Sequence, residues 1–287
     1  PEGAAMEFRI YAEDPGRNFQ PSSGLVTRAA FPAGVRCDTW ISTGTEVSAF
    51  YDPLLAKIIV KGGDRAEVIR KAEEALKATE IAGFETNLLL LRDVLGMAPF
   101  REGRAGTWLL KEYAYSAPTF EILSPGTQTT VQDYPGRLGY WAVGVPPSGP
   151  MDAYSFRLAN RIVGNAPEAP GLEMTLSGAS LRFNTDALFA LTGGEFPATL
   201  NGTEISRNTP IAAKKGDVLK VGTTRCGQRC YFAVAGGIDV PEYLGSRSTF
   251  TLGRFGGHGG RALAAGDVLH IGNWKVSEPL SPAAGAV

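Results

Sequence analysis

Between residues 6 and 12 apolar and polar side chains alternate, with Phe8 and Ile10 on one face and Glu7 and Arg9 on the other. This predicts a half-buried strand, closed by the turn Glu13-Asp14-Pro15-Gly16. Short strands are predicted over 24–30, 35–41 and 46–51, and the apolar run 54–60 reads as helical at first and then extended. Asp64-Arg-Ala-Glu67 is a helix start, with Asp64 as N-cap and Val68, Ala72, Ala75, Leu76 and Thr79 sharing one face. Thr86 can cap a helix over 87–95 that Gly96 ends, and a short third helix is predicted over 108–113. Meandering strands followed by helices that cover them make an α+β unit.

The pattern then changes. Residues 1–114 form the expected first domain, 115–119 a linker, and 120–287 a second domain in which Gly, Thr and small residues rise and helix signals nearly vanish. One helix stands out over 153–163, with Asp152 as N-cap, Phe156, Ala159, Ile162 and Val163 toward the core, and Arg157 and Asn160 on other faces. Strands are predicted over 172–176, 180–183, 187–192, 198–200, 203–205, 218–221, 230–235, 249–251 and 268–271. Asn201-Gly202 marks a type I′ hairpin. Residues 213–222 and 264–272 share a Gly-Asp turn followed by Val-Leu-x-Val/Ile, read as two related strands. Many short strands imply a mostly-β barrel or sandwich.

Length and apolar content, 287 residues and 44%, suffice for two cored domains. A formal net charge of -1 without a Lys/Arg run points to neither a nucleic-acid nor an anionic membrane surface. No apolar stretch approaches the roughly 20 residues of a membrane helix, and no signal peptide is visible. Cys37, Cys226 and Cys230 are too few for a disulfide framework, and Cys226-Gly-Gln-Arg-Cys230 lacks further Cys or His nearby for a zinc site. No metal is expected in this chain; reduced thiols and a cytoplasmic location are. The opening Pro1 suggests a piece of a longer polypeptide.

Candidate chemistry concentrates in 127–152, where Pro135-Gly136, Pro146-Pro147 and Gly149-Pro150 shape a loop carrying Asp133, Arg137, Tyr140, Trp141, Ser148 and Asp152. Asp133 and Asp152, with Glu173 and Glu195 behind them, are acceptors suited to an N–H edge. Asp133 reads equally as an Asx-turn and Asp152 as a helix cap. Ser148 can donate to a carbonyl but has no His-based triad, and Tyr140 and Trp141 can stack on a ligand or simply pack. Arg254-Phe-Gly-Gly-His-Gly-Gly-Arg261 offers backbone amides, Arg254 and Arg261 to an anion, and His258 to proton transfer; a solvated glycine turn is the plainer reading.

Glu7-Phe-Arg-Ile-Tyr-Ala-Glu-Asp-Pro15, Phe19-Gln-Pro-Ser-Ser-Gly24, Gly34-Val-Arg-Cys-Asp38, Tyr51-Asp-Pro-Leu-Leu-Ala-Lys57 and Gly83-Phe-Glu-Thr-Asn87 resemble, in order and spacing, the C-terminal subdomain of biotin carboxylase. The resemblance places Arg9 at the bicarbonate and carboxybiotin site and gives Arg36 and Asp52 structural or dimer-contact roles. Without it, Arg9 reads as an ion pair with Glu7 or Asp14. A guanidinium stays charged and can hold a planar carboxylate by two parallel hydrogen bonds. The first domain shows neither a phosphate-cradling glycine loop nor a biotin-acceptor motif.

Gln132-Asp-Tyr-Pro-Gly-Arg-Leu-Gly139, Gly144-Val-Pro-Pro-Ser-Gly-Pro-Met-Asp152, Leu172-Glu-Met-Thr-Leu176, Ala235-Gly-Gly-Ile238 and Gly259-Gly-Arg-Ala-Leu263 resemble the allophanate hydrolase subunit 2, or KipA-like, family, which implies a cyclophilin-like barrel. The two joined resemble the urea carboxylase family. That implies ATP- and biotin-dependent carboxylation of urea by bicarbonate to allophanate, by way of carboxybiotin. ATP, Mg2+ and a biotin carrier domain would belong mainly to other parts of a parent protein, and the chain alone is expected to be inactive. Arg9 and Asp133 are then the expected catalytic residues, and Tyr140, Ser148, Asp152, Glu173, His258 and Arg261 the expected substrate-binding ones. A second carboxyltransferase module would be a partner, and a homo-oligomer is compatible with the family. The rivals are a guanidine carboxylase of the same architecture and a KipA-like or 5-oxoprolinase-type subunit.

Overall fold

The computed structural model describes residues 2–111, 113–274 and 279; the last stretch of the expected second domain lies otherwise outside the described residues. The chain divides into two units, Pro1–Ala117 and Pro118–Val287.

In the first unit, strand Leu54–Gly62 is central to a three-stranded antiparallel sheet between Ala4–Tyr11 and Arg36–Thr39. The expected helical start of 54–60 is thus a strand. Its β-branched residues Ile58, Ile59 and Val60 fit a pleated surface, and two neighbouring strands fill its hydrogen bonds on both sides. Phe8, Ile10, Ala56, Ile58 and Val60 are buried on one face. Helix Arg65–Ala78 contributes Val68, Ile69, Ala72, Ala75 and Leu76 to the same core. Its N-cap Asp64 accepts from Glu67 N at 2.8 Å, while the Glu67 carboxylate reaches back to Gly63 N at 2.6 Å. Helix Leu88–Gly96 starts one residue later than expected, with Asn87 and not Thr86 at the N-cap position, and runs through Gly96; the Asn87 side chain makes no cap bond and turns to the first strand. It accepts from Tyr11 N at 2.9 Å and donates to Arg9 O at 3.2 Å. Among the described residues of the expected helix at 108–113 there are only turns: Leu109 and Lys111 donate to carbonyls three residues back, and a short helix forms instead at Ala98–Arg101.

The second unit is mostly β. A seven-stranded sheet runs Thr203–Glu204, Ala198–Leu200, Val218–Val221, Ser180–Phe183, Thr119–Ser124, Val268–Ile271, Ile238–Asp239. A five-stranded sheet runs Gln128–Gln132, Gly171–Thr175, Cys226–Val234, Ala187–Glu195, Ile211–Ala213. Both feed one core, in which Phe232 lies 5.6 Å from Phe120 and 5.7 Å from Phe189, ring centre to ring centre. The ladders among the described residues make two sheets and not one closed ring. Helix Ala153–Ile162 covers the outer face of the five-stranded sheet, packing Phe156, Ala159 and Ile162 on Ala190, Tyr231 and Ala233. The second half of Cys226–Val234, from Cys230 on, is therefore covered on both faces, which explains the unbroken apolar run Tyr231–Val234. Buried Cys230 has its thiol pushed up to about 12 by burial.

Asn160 is fully buried, contrary to expectation: its amide donates to Ala169 O at 2.8 Å and its oxygen accepts from Asn165 at 3.0 Å. The expected strand 249–251 is a turn with a single Phe250–Phe255 bridge. Asn201 and Gly202 both take positive φ, 51° and 83°, as a type I′ turn requires. The repeat is structural: Lys214 N donates to Asp217 Oδ2 and Ala264 N to Asp267 Oδ2, each at 2.7 Å. The strands that leave these turns flank the central pair Thr119–Ser124 and Ser180–Phe183 on opposite sides.

Candidate functional site

The first unit presents a polar sheet face. Direct cross-strand pairing sets Arg9, Lys57 and Asp38 in one row and Glu7, Ile59 and Arg36 in the next. These rows lie opposite the buried face of Phe8, Ile10 and Ile58. Arg9 is exposed, and its Nε donates to Glu7 Oε1 at 2.7 Å. Hydrogen bonding with Glu7, then Tyr11, raises its pKa further. The alternative pairing with Glu7 is thus present, while that with Asp14 is not: Asp14 accepts from Gly16 N at 2.8 Å and faces Arg17. Arg36 grips Asp38 through Nε and Nη2 at 2.9–3.1 Å, and Asp52 accepts from Leu54 N at 2.8 Å, shaping the entry to the central strand.

In the second unit the residues after strand Gln128–Gln132 form a loop held against residues 243–260 by a buried polar hub. Asp133 is at its centre. Its Oδ1 accepts from Ser246 Oγ and Ser248 Oγ, both at 2.6 Å, and its Oδ2 from Arg247 N at 2.7 Å. The carboxylate is thereby engaged with the 246–248 segment. Arg137 is fully buried; Nε donates to Tyr243 O at 3.0 Å, Nη2 to Ser248 O at 2.9 Å, and the guanidinium lies 4.9 Å from the Phe255 ring centre. Burial lowers its pKa from the usual arginine range, and Asp133 opposes that shift. Gly256 passes so close that a Cβ there would sit 2.1 Å from Ser248 O. Arg137 N also donates to Pro147 O at 2.6 Å and Gly149 N to Gln132 Oε1 at 3.0 Å, which ties both ends of the loop.

Asp152 and Glu173 are brought together by Tyr231. Asp152 N donates to the Tyr231 hydroxyl at 2.7 Å, which donates to Glu173 Oε2 at 2.9 Å. Glu173 also accepts from Met151 N at 2.7 Å and faces Arg229 at 3.4 Å. The Asp152 side chain caps its helix, accepting from Ser155 N at 3.0 Å and Ser155 Oγ at 2.5 Å. Burial pushes its carboxyl up, but the Ser155 bonds outweigh that and hold it below the usual range. Tyr140, half-buried, precedes the short turn Trp141–Val143, and Ser148 sits in the left-handed region at φ 56°.

His258 and Arg261 converge on Asp267. Arg261 binds it with two parallel bonds at 2.7 and 2.8 Å, and His258 Nε2 stands 3.6 Å away. Burial raises the Asp267 carboxyl, yet Arg261 and then His258 hold it well below the usual carboxylate range. A group with a depressed folded pKa stabilises above its unfolded value and loses that contribution as pH falls through the folded one. Asp267→Asn should therefore lower stability most above about pH 4, with the gap to the unsubstituted chain closing in stronger acid. Urea midpoints measured along a pH series check this, and a gap that widens in acid would contradict it.

Sequence reasoning named Arg137 in the loop without giving it a role, and left Tyr231, Ser246, Ser248 and Asp267 out of the site. For the first, an Arg within Pro-Gly-Arg between two glycines was the available signal; the serines became relevant only through tertiary contact with Asp133. Among the described residues no group of three or more His, Cys, Asp and Glu side chains stands together as a metal site, and no helix is long and apolar enough to cross a membrane.

Comparison with known proteins agrees with this division. Residues 7–112 match the family model of the biotin carboxylase C-terminal domain, and residues 143–284 that of the carboxyltransferase domain, subdomains A and B. The chain is thus a biotin carboxylase part running directly into a carboxyltransferase part, the class of the biotin-dependent carboxylases. Urea amidolyase of Lachancea kluyveri is 51% identical over 98% of this chain. The crystal structure of Kluyveromyces lactis urea carboxylase is 50% identical over 98% of it, with a TM-score of 0.89. The chain belongs to the urea amidolyase and urea carboxylase family. It spans 15% of the length of the first relative and 25% of the second. A 5-oxoprolinase subunit of Escherichia coli is 42% identical over 54% of the chain, covering 50% of that protein.

Proposed function

We propose that this chain is part of an ATP- and biotin-dependent urea carboxylase, which joins bicarbonate to urea to give allophanate, a ligase reaction forming a C–N bond. The observation that carries the reading is the joining of both parts in one chain, 50% identical to a urea carboxylase along 98% of its length. The 5-oxoprolinase-type reading leaves nearly half of the chain without a counterpart. A guanidine carboxylase would keep the architecture and change the substrate.

Biotin, presented on a carrier domain of the parent, supplies a ureido nitrogen that takes up and hands on the carboxyl group. In this chain Arg9 suits it: beyond its contacts with Glu7 and Tyr11, the exposed guanidinium keeps further N–H donors for a carboxylate or the ureido oxygen. ATP and Mg2+ are assigned to other parts of the parent, as is a further carboxyltransferase module. Arg36 and Asp52 keep structural roles. Domain limits of 1–114 and 120–287 around a linker, and a cyclophilin-like character for the two-sheet unit, belong to the same proposal.

For the second unit we assign the loop 134–152, with residues 243–261, to one side of a carboxyltransferase site. Tyr140 and Ser148 present side chains from this shaped loop, and Asp152, Glu173, His258 and Arg261 line or support it. Asp133 holds the loop and positions groups without needing to touch substrate.

The test is bicarbonate-dependent ATP cleavage by the biotinylated full-length parent, with urea, guanidine, acetamide or 5-oxoproline offered in turn. Stimulation by urea is expected, and Arg9→Met should lower turnover on the order of 10²-fold. Stimulation by guanidine alone would transfer the reading to that substrate, and no stimulation by any would overturn it.

A further inference from the structure

In the two rows set by Arg9 and Glu7 on the polar face of the first unit's sheet, three cations oppose two carboxylates. Glu7 is engaged by Arg9 Nε at 2.7 Å, and Asp38 is gripped by Arg36 at 2.9–3.1 Å. The remaining cation is Lys57, in the middle strand and directly opposite Arg9. The two side chains therefore emerge side by side from the same face. Like charges placed directly opposite on a sheet repel. Asp38, next in the row, feels Lys57, but its own hydrogen bonds go to Arg36. Lys57 forms no ion pair within 4.0 Å among the described residues, and Arg9, with Nε on Glu7 and a further contact to Tyr11, keeps other N–H donors of its five.

We propose that Lys57 and Arg9 together form a two-cation receptor for a small trigonal oxyanion of the carbonate or carboxylate class, Arg9 giving the guanidinium donors left by Glu7 and Tyr11 and Lys57 a movable point charge. An anion between them would turn the cross-strand repulsion into two attractions. Lys57 thereby becomes a substrate-positioning residue beside Arg9, a role that rests on the reading of Arg9 given above.

The test is binding to the 287-residue chain, without turnover. Amide signals of Arg9 and Lys57 are followed by heteronuclear NMR during titration with sodium bicarbonate, with sodium acetate and sodium chloride at matched ionic strength as separate arms. Saturable shifts with bicarbonate or acetate, but not with chloride, are expected. Lys57→Met should weaken that binding about fivefold, as loss of a partly exposed charge partner would, while Lys57→Arg should keep it within about twofold. Lys57→Gln serves if the Met variant does not fold. Unchanged binding in the neutral variants, or shifts that chloride reproduces, would overturn the receptor. The turnover assay of Arg9→Met reports separately on Arg9, so a silent Lys57 beside an essential Arg9 removes only the present inference.

Discussion

Arg137→Met should destabilise the second unit by about 3–5 kcal/mol, because two carbonyls each lose a charged donor worth about 1.5–3 kcal/mol. The carbonyls of Tyr243 and Ser248 would lose their donors, and Phe255 the cation above its ring. Asp133 would also lose a nearby countercharge. Arg137→Lys should recover little, because one ammonium cannot reproduce the planar fork that meets two carbonyls. Hydrogen-exchange protection of the strand Gln128–Gln132 measures the effect. A loss below about 1 kcal/mol would show that the loops are held by something other than this guanidinium.

Asp133→Ala should cost about 3 kcal/mol, because the buried hydroxyls of Ser246 and Ser248 and the half-buried amide of Arg247 lose their acceptor together. Asp133→Asn keeps one acceptor oxygen and should cost less. The two positions share Ser248, whose hydroxyl serves Asp133 and whose carbonyl serves Arg137. The double variant should therefore fall short of additivity by about 0.5–3 kcal/mol. Denaturant midpoints of the four proteins give the coupling. Full stability in Asp133→Ala together with lost turnover in the parent would instead return this carboxylate to the role of a substrate acceptor.

Legibility in the sequence followed how local the determining physics was. The Asp64 and Asp152 caps, the Asn201-Gly202 turn and the two Gly-Asp turns are decided within four or five residues, and they were readable. Leu54–Gly62 was ambiguous because a short apolar run suits a buried helix or a central strand, and only its two neighbours decide. Asn160 defied its helical face because a buried amide is tolerated where Ala169 O and Asn165 meet it, and those partners arrive from outside the helix. Within the candidate site the loop and its residues could be named in advance. Which carboxylate was engaged, and by what, could not: Ser246 and Ser248 stand more than a hundred positions from Asp133. Arg137 was visible only as one more polar residue in a glycine-rich loop, and nothing in its spacing announces complete burial.

The turns at Gly216-Asp217 and Gly266-Asp267 repeat one backbone bond beneath different side-chain partners. In the first copy the aspartate also binds Asn201 at 2.7 Å, a neutral neighbour in a plain hairpin; in the second it binds Arg261 at 2.7–2.8 Å and faces His258. Each turn secures its own strand through the same backbone bond, so the scaffold does not depend on what else the carboxylate meets. The side-chain partners of each aspartate, Asn201 in one turn and Arg261 with His258 in the other, can therefore change under selection while the strand that follows keeps its backbone bond.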